Sequence, residues 1–211
     1  MLREFCAENL TGVAEALAAG ANRIELCDDL SVGGVSPKRK VIKQAVELIH
    51  GLGGSVMVMV RPRGGDFAYS IGELAAMEQT IRDARELGAD GVVLGCVRNG
   101  ELDLVALQKL VSAAVGLDLT FHMAFDELPQ DAQLEALPML ARMGFSRILT
   151  HGGTLSQSID ACLPHLRELV SAARGVISIM PGGGVTWENA QAICDELGVG
   201  EVHGTRIVRL G

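Results

Sequence analysis

Two arginines, a glycine pair and an aspartate end the apolar run Val56-Met-Val-Met-Val-Arg61-Pro-Arg63-Gly-Gly-Asp66-Phe67. The planar donor forks of Arg61 and Arg63 suit a carboxylate or a phosphate, and Asp66 can satisfy donors that a ligand leaves free. His122 and Asp126 stand four residues apart, a spacing that sets an imidazole beside a carboxylate for proton transfer. The same pattern also describes a hydrogen-bonded structural histidine. Glu25 is a further carboxylate of this candidate set. Gly182, Gly183 and Gly184, and the His203-Gly204-Thr205 turn, supply flexible backbone whose N–H groups can cradle an anion; tight strand-to-helix turns need the same flexibility.

These residues need a frame. Four segments, AGANRIEL, LGADGVVL, MGFSRILT and LGVGEVHG, share a small-residue turn feeding a strand, and each lies about two strand-plus-helix units from the next. Between them fall four more strand candidates, REFCAE, VMVMV, LTFHMAF and VISIM. Amphipathic stretches separate the strands, as from Pro37 to Leu52, Ile71 to Leu87, Leu104 to Val115 and Ile159 to Ala173. Ser36-Pro37 reads as an N-cap with a first-turn proline, and Ser70-Ile-Gly-Glu73 as a capping box. Strict alternation over eight units predicts an α/β fold, a (β/α)8 TIM barrel in one domain spanning 1–211. Thr205 to Gly211 is too short for a full eighth helix, so that helix is expected to be short or missing, with a homo-oligomer covering the surface it leaves.

A barrel gives positions meaning, because its functional face lies at the C-terminal strand ends. Arg23 and Arg147, at strand starts, take a structural reading. Period-two alternation turns Glu4, Cys6 and Glu8 inward, with Glu25 and Cys27, with Met57, Met59, Arg61 and Arg63, with Thr120, His122 and Asp126, and with Glu201 and His203. Phe5, Ile24, Leu26, Phe121 and Val202 then face the helices. A lumen so rich in charge implies either a ligand site or an ion-pair plug made by Arg61, Arg63 and Glu25.

Composition sets the bounds. With 48% hydrophobic and 21% charged residues the chain can bury one large core. A net charge of -8 argues against a nucleic-acid or anionic-membrane surface, and no apolar run is long enough to span a bilayer. Five widely spaced cysteines without C-x-x-C suit free thiols in a reducing compartment, and the expectation is a cytoplasmic protein.

RIELC, VGG, VRPRGGDF, ADGVVLG, TFHMAFD, RILTHGG, IMPGGG and EVHG, in this order, resemble the CutC family, named for copper homeostasis. The likeness runs through essentially the whole chain. It departs at Met123, where the family commonly has arginine, and at His151, where it commonly has serine. The resemblance implies a TIM barrel and a role with Cu(I), with Cys6 and Cys27 matching the proposed family ligands. Soft thiolates suit Cu(I), and His203 on the last strand is a possible third ligand. Cys96, Cys162 and Cys194 read as core residues. Two functions follow: Cu(I) binding in copper homeostasis, or a TIM-barrel enzyme acting on a small phosphorylated or carboxylated molecule. The partner is accordingly a copper ion or a small anionic ligand.

Overall fold

The computed structural model describes residues 1–211. Its strands are β1 (Leu2–Glu8), β2 (Arg23–Cys27), β3 (Ser55–Met59), β4 (Gly91–Leu94), β5 (Val97–Arg98), β6 (Glu101–Leu102), β7 (Asp118–Phe121), β8 (Arg147–Thr150), β9 (Ser178–Pro181) and β10 (Glu201–Gly204). Eight of them form one parallel sheet in the order β10-β1-β2-β3-β4-β7-β8-β9, the nearly closed barrel expected from the alternation. β9 and β10 lie side by side without a ladder, and a parallel bridge between Thr186 and Arg206 joins the chain just past their ends. The antiparallel β5–β6 hairpin after β4 is an addition the sequence reading did not foresee.

Seven α-helices cover the barrel: α1 (Val13–Ala18), α2 (Arg39–Gly51), α3 (Ile71–Leu87), α4 (Leu104–Ala113), α5 (Gln130–Met143), α6 (Ile159–Ala173) and α7 (Ala190–Leu197). No helix follows β10, and Ile207 and Val208 of the tail are buried instead. No helix is long and apolar enough to cross a membrane. The capping box at α3 forms as expected: Glu73 N–H donates to Ser70 Oγ at 3.3 Å and Ser70 N–H to Glu73 Oε2 at 2.7 Å. Ser36 does not cap α2, which begins at Arg39 after Lys38. Its hydroxyl accepts from Arg61 N–H at 2.9 Å instead, so the side chain ties the loop after β2 to the end of β3.

The apolar alternate positions pack as expected. Phe5, Ile24, Leu26, Phe121 and Val202 join the large core between strands and helices, while Cys6, Cys27, Met57, Met59 and Val93 form a separate small cluster inside the barrel.

Candidate functional site at the barrel mouth

The base of the lumen is a charged plug. Arg23 Nε donates to Glu4 Oε2, and its Nη2 donates to Glu201 Oε2 at 2.7 Å and reaches Met180 Sδ at 3.2 Å. Arg147 reaches Glu201 Oε2 at 3.2 Å, Asp118 Oδ2 at 2.7 Å and Thr120 Oγ1 at 3.0 Å. Arg23 and Arg147 thus take the structural role expected of the strand starts, and they, rather than Arg61 and Arg63, build the ion-pair plug. That leaves the mouth free for other work.

Above the plug, the strand register brings Cys6 opposite Glu25 and Glu4 opposite His203. Glu4 Oε1 accepts from His203 Nδ1 at 2.8 Å, and His203 Nε2 lies 3.7 Å from Glu25 Oε2. One buried imidazole therefore bridges two buried carboxylates. Burial alone would lower its pKa, but Glu25, Cys6 and Glu4 outweigh that and hold His203 well above the usual histidine range. Glu4 is buried too, yet His203 and Arg23 bring its carboxyl down to about 2. Glu25 goes the other way, because burial and the negative groups beside it raise it well above the carboxylate range.

The two thiols converge. Cys6 and Cys27 Sγ and a Glu25 oxygen all lie within 4.8 Å of one another. The hydrogen bond from Cys27 and the His203 imidazolium, opposed by burial, hold the Cys6 thiol well below its ordinary pKa. Its partner Cys27 is driven up by that same bond and by burial, and keeps its proton. Cys27 also lies 3.5 Å from Glu25 Oε2. Met57 and Met59 add thioethers to the same buried cluster. Cys162 and Cys194 sit on α6 and α7, and Cys96 lies in the core outside the lumen.

A cavity of about 100 Å³ opens at this point, lined by Cys6, Glu25, Arg61, His122 and His203 together with Phe67, Met59, Met123, Leu149 and Gly33. Arg61 reaches it, but most of its donors hold loops: Nη1 donates to Val32 O at 2.9 Å and Gly34 O at 3.1 Å, and Nη2 to Gly65 O at 2.8 Å. Its guanidinium also stacks 4.8 Å from the Phe67 ring.

Arg63 and Asp66 lie apart from the cavity. Arg63 donates to Glu73 Oε1 at 2.5 Å and to Asp66 Oδ1 at 2.9 Å, bracing its own loop against the start of α3. The expected inward facing fails here because β3 ends at Met59, and alternation has no force beyond a strand. The expected His122–Asp126 contact is also absent, for the same reason. The chain turns into a 3-10 helix over Met123–Glu127, which sends the two side chains apart. Asp126 accepts from Thr150 Oγ1, His151 N and Gly152 N, and so ties the β8 loop. His122 Nδ1 accepts from Ala124 N–H at 3.2 Å. Burial and the charge of Arg61 push its pKa down to about 3.

The glycines expected to cradle an anion, Gly182, Gly183, Gly184 and Gly204, do not line the cavity. Gly182 N–H donates to Thr150 O at 3.0 Å, and Gly183 and Gly184 take φ of 69° and 92°, where glycine is favoured. Gly204 sits against the loop after β9, where a Cβ would overlap the Val185 carbonyl. Sequence reasoning set Glu4 inward without giving it a role in the site, and it missed Phe67. Only the pairing of first and last strands makes Glu4 the support of His203.

The CutC family model matches residues 1–208. This chain belongs to the CutC family. A CutC family protein of Enterococcus faecalis is 47% identical over 209 residues, covering 99% of this chain and 100% of that protein. The human copper homeostasis protein cutC homolog is 39% identical over 206 residues, 96% of this chain and 72% of its own length. The crystal structure of a Streptococcus agalactiae CutC superimposes with a TM-score of 0.96 at 47% identity, covering 99% of this chain and 100% of that one. A deoxyribose phosphate aldolase from Aeropyrum pernix, at 13% identity and a TM-score of 0.72 over 99% of this chain and 86% of that chain, shares the fold alone.

Proposed function

We propose that this CutC protein serves copper homeostasis in the cytoplasm by taking up Cu(I) between Cys6 and Cys27. The convergence of the two thiols carries the reading: sulfur atoms within 4.8 Å of one another lie in range of one ion, since metal–thiolate bonds run to about 2.3 Å on the zinc scale. Thiolate and thioether sulfur is the lining a soft monovalent copper ion prefers, and Met57 and Met59 extend it. Cys6 lines the cavity, which offers the ion a path from the mouth. Binding displaces the Cys27 proton, because the ligand form of cysteine is the thiolate.

The test is Cu(I) competition against a strong chelator. The Cys6→Ser/Cys27→Ser double variant is expected to lose binding and keep its circular dichroism spectrum, while Cys162→Ser/Cys194→Ser binds as wild type. Equal copper uptake by the two variants would refute the assignment.

A second reading is an enzyme acting on a small phosphorylated or carboxylated molecule at the same mouth. It is favoured by one observation: Arg61, Glu25 and His122 each present a buried polar atom without a protein partner.

A further inference from the structure

Besides Tyr69 Oη, three buried polar atoms have no hydrogen-bond partner, and their residues meet at one place. They are Arg61 Nε, His122 Nε2 and Glu25 Oε1, and all three residues line the cavity of about 100 Å³. Each side chain belongs to a residue almost wholly out of solvent, at 6%, 3% and 2% exposure. A buried donor or acceptor left unmatched is destabilising, so three on residues around one cavity call for a complementary occupant.

Their roles can be assigned. His122 Nδ1 accepts from the Ala124 N–H, so the ring proton resides on Nε2 and that nitrogen is a donor. The Arg61 Nε–H is a second donor, while Nη1 donates to Val32 and Gly34 and Nη2 to Gly65. Phe67 sets both groups: its ring lies 4.9 Å from the His122 ring and 4.8 Å from the Arg61 guanidinium. Glu25 Oε1 is the third unmatched polar atom of the same set. The volume equals about three waters, room for about four to six non-hydrogen atoms.

We propose that this cavity binds a short hydroxycarbonyl or hydroxycarboxylate molecule. Its carbonyl or carboxylate oxygen accepts from His122 Nε2–H and Arg61 Nε–H, and its hydroxyl, which can donate or accept, pairs with Glu25 Oε1. The inference deepens the enzyme reading by naming its substrate class, and it does not depend on copper.

The experiment follows the histidine ring nitrogens by NMR in 15N-labelled protein, titrated separately with glycolate, glycolaldehyde, acetate and inorganic phosphate. His122 should read as the Nε2–H tautomer. Glycolate and glycolaldehyde should move its resonances, acetate should bind more weakly for want of a hydroxyl, and phosphate at equal concentration should leave them in place. His122→Phe keeps the aromatic packing but removes the donor, and should weaken glycolate affinity about tenfold or more by calorimetry. Wild-type protein stripped of copper by a strong Cu(I) chelator should give the full glycolate response, which separates this site from the copper reading. No shift with any probe, wild-type glycolate affinity in His122→Phe, or an equal response to phosphate would each overturn the proposal; acetate binding as tightly as glycolate would remove the hydroxyl contact.

Discussion

His203 and His122 sit in one lumen and are driven in opposite directions. Held above 6.5 against its own burial by Glu25, Cys6 and Glu4, His203 lends stability that is fully present below pH 6.5 and is lost as pH rises through its folded pKa. His122, pushed from 6.5 to about 3 by burial and Arg61, stays neutral, so the unfolded chain binds the extra proton and stability falls as pH drops from 6.5 toward 3. Glu4, lowered from 4.5 to about 2, adds a further loss on the acid side below pH 4.5. Glu25, raised above 4.5, opposes His122 over the same range, so each histidine is read from the difference between variant and wild-type denaturant midpoints across pH. Relative to wild type, His203→Gln should lose less stability as pH rises above 6.5, and His122→Phe should lose less as pH falls from 6.5 to 4.5, where Glu4 does not yet contribute. Unchanged slopes in both variants would contradict the assignment. Glu4→Gln removes the partner shared by Arg23 and His203 and should cost about 3–5 kcal/mol. A loss below 1 kcal/mol in urea denaturation would mean that the plug is not paired as described.

At the level of elements, the strands carry their residues to the lumen and the strand ends decide what happens next. Cys6, Glu25, Met57 and Met59 face inward because alternation holds along β1, β2 and β3. Arg63 and Asp126 escape that rule because they lie past Met59 and Phe121, in a loop and a 3-10 turn. The Arg61 loop clamp and the Ser36 tie show the same shift, from residues read for chemistry or capping to residues that hold the mouth loops together. Gly204 marks the tightest approach between β10 and the loop after β9. Gly204→Ala should destabilise by about 1–3 kcal/mol, whereas Gly200→Ala, with nothing within 4 Å of the added carbon, should be nearly neutral. Urea midpoints that move equally for the two would remove the packing argument.

For the molecule as a whole, β9 and β10 meet without a ladder and no helix follows β10. The tail buries Ile207 and Val208 there, while Trp187 and Leu210 stay 46% and 40% exposed. Self-association that covers this flank is the expected outcome. Trp187 is the single tryptophan, so its fluorescence should shift to the red on dilution as light scattering falls to the monomer mass. A monomer across a wide concentration range would dispose of this expectation.

The alternation of strands and helices, the inward Glu4, Cys6, Glu25 and Cys27 and the α3 capping box were legible in the residues alone, because each depends on a period or on contacts a few positions apart; Glu8, read as inward with them, is exposed at the end of β1 and accepts from Leu30 N–H. The CutC motifs likewise run along the chain in order. Which charges meet was not legible. Barrel closure sets Glu4 against His203, 199 positions apart, and the stagger of β1 against β2 brings Cys6 and Cys27 together. The ends of β3 and β7 decide that Arg61 and His122 enter the cavity while Arg63 and Asp126 turn to brace loops. Pairings of this kind come from closing a twisted sheet on itself, a geometric condition on all eight strands at once, and no local pattern encodes it.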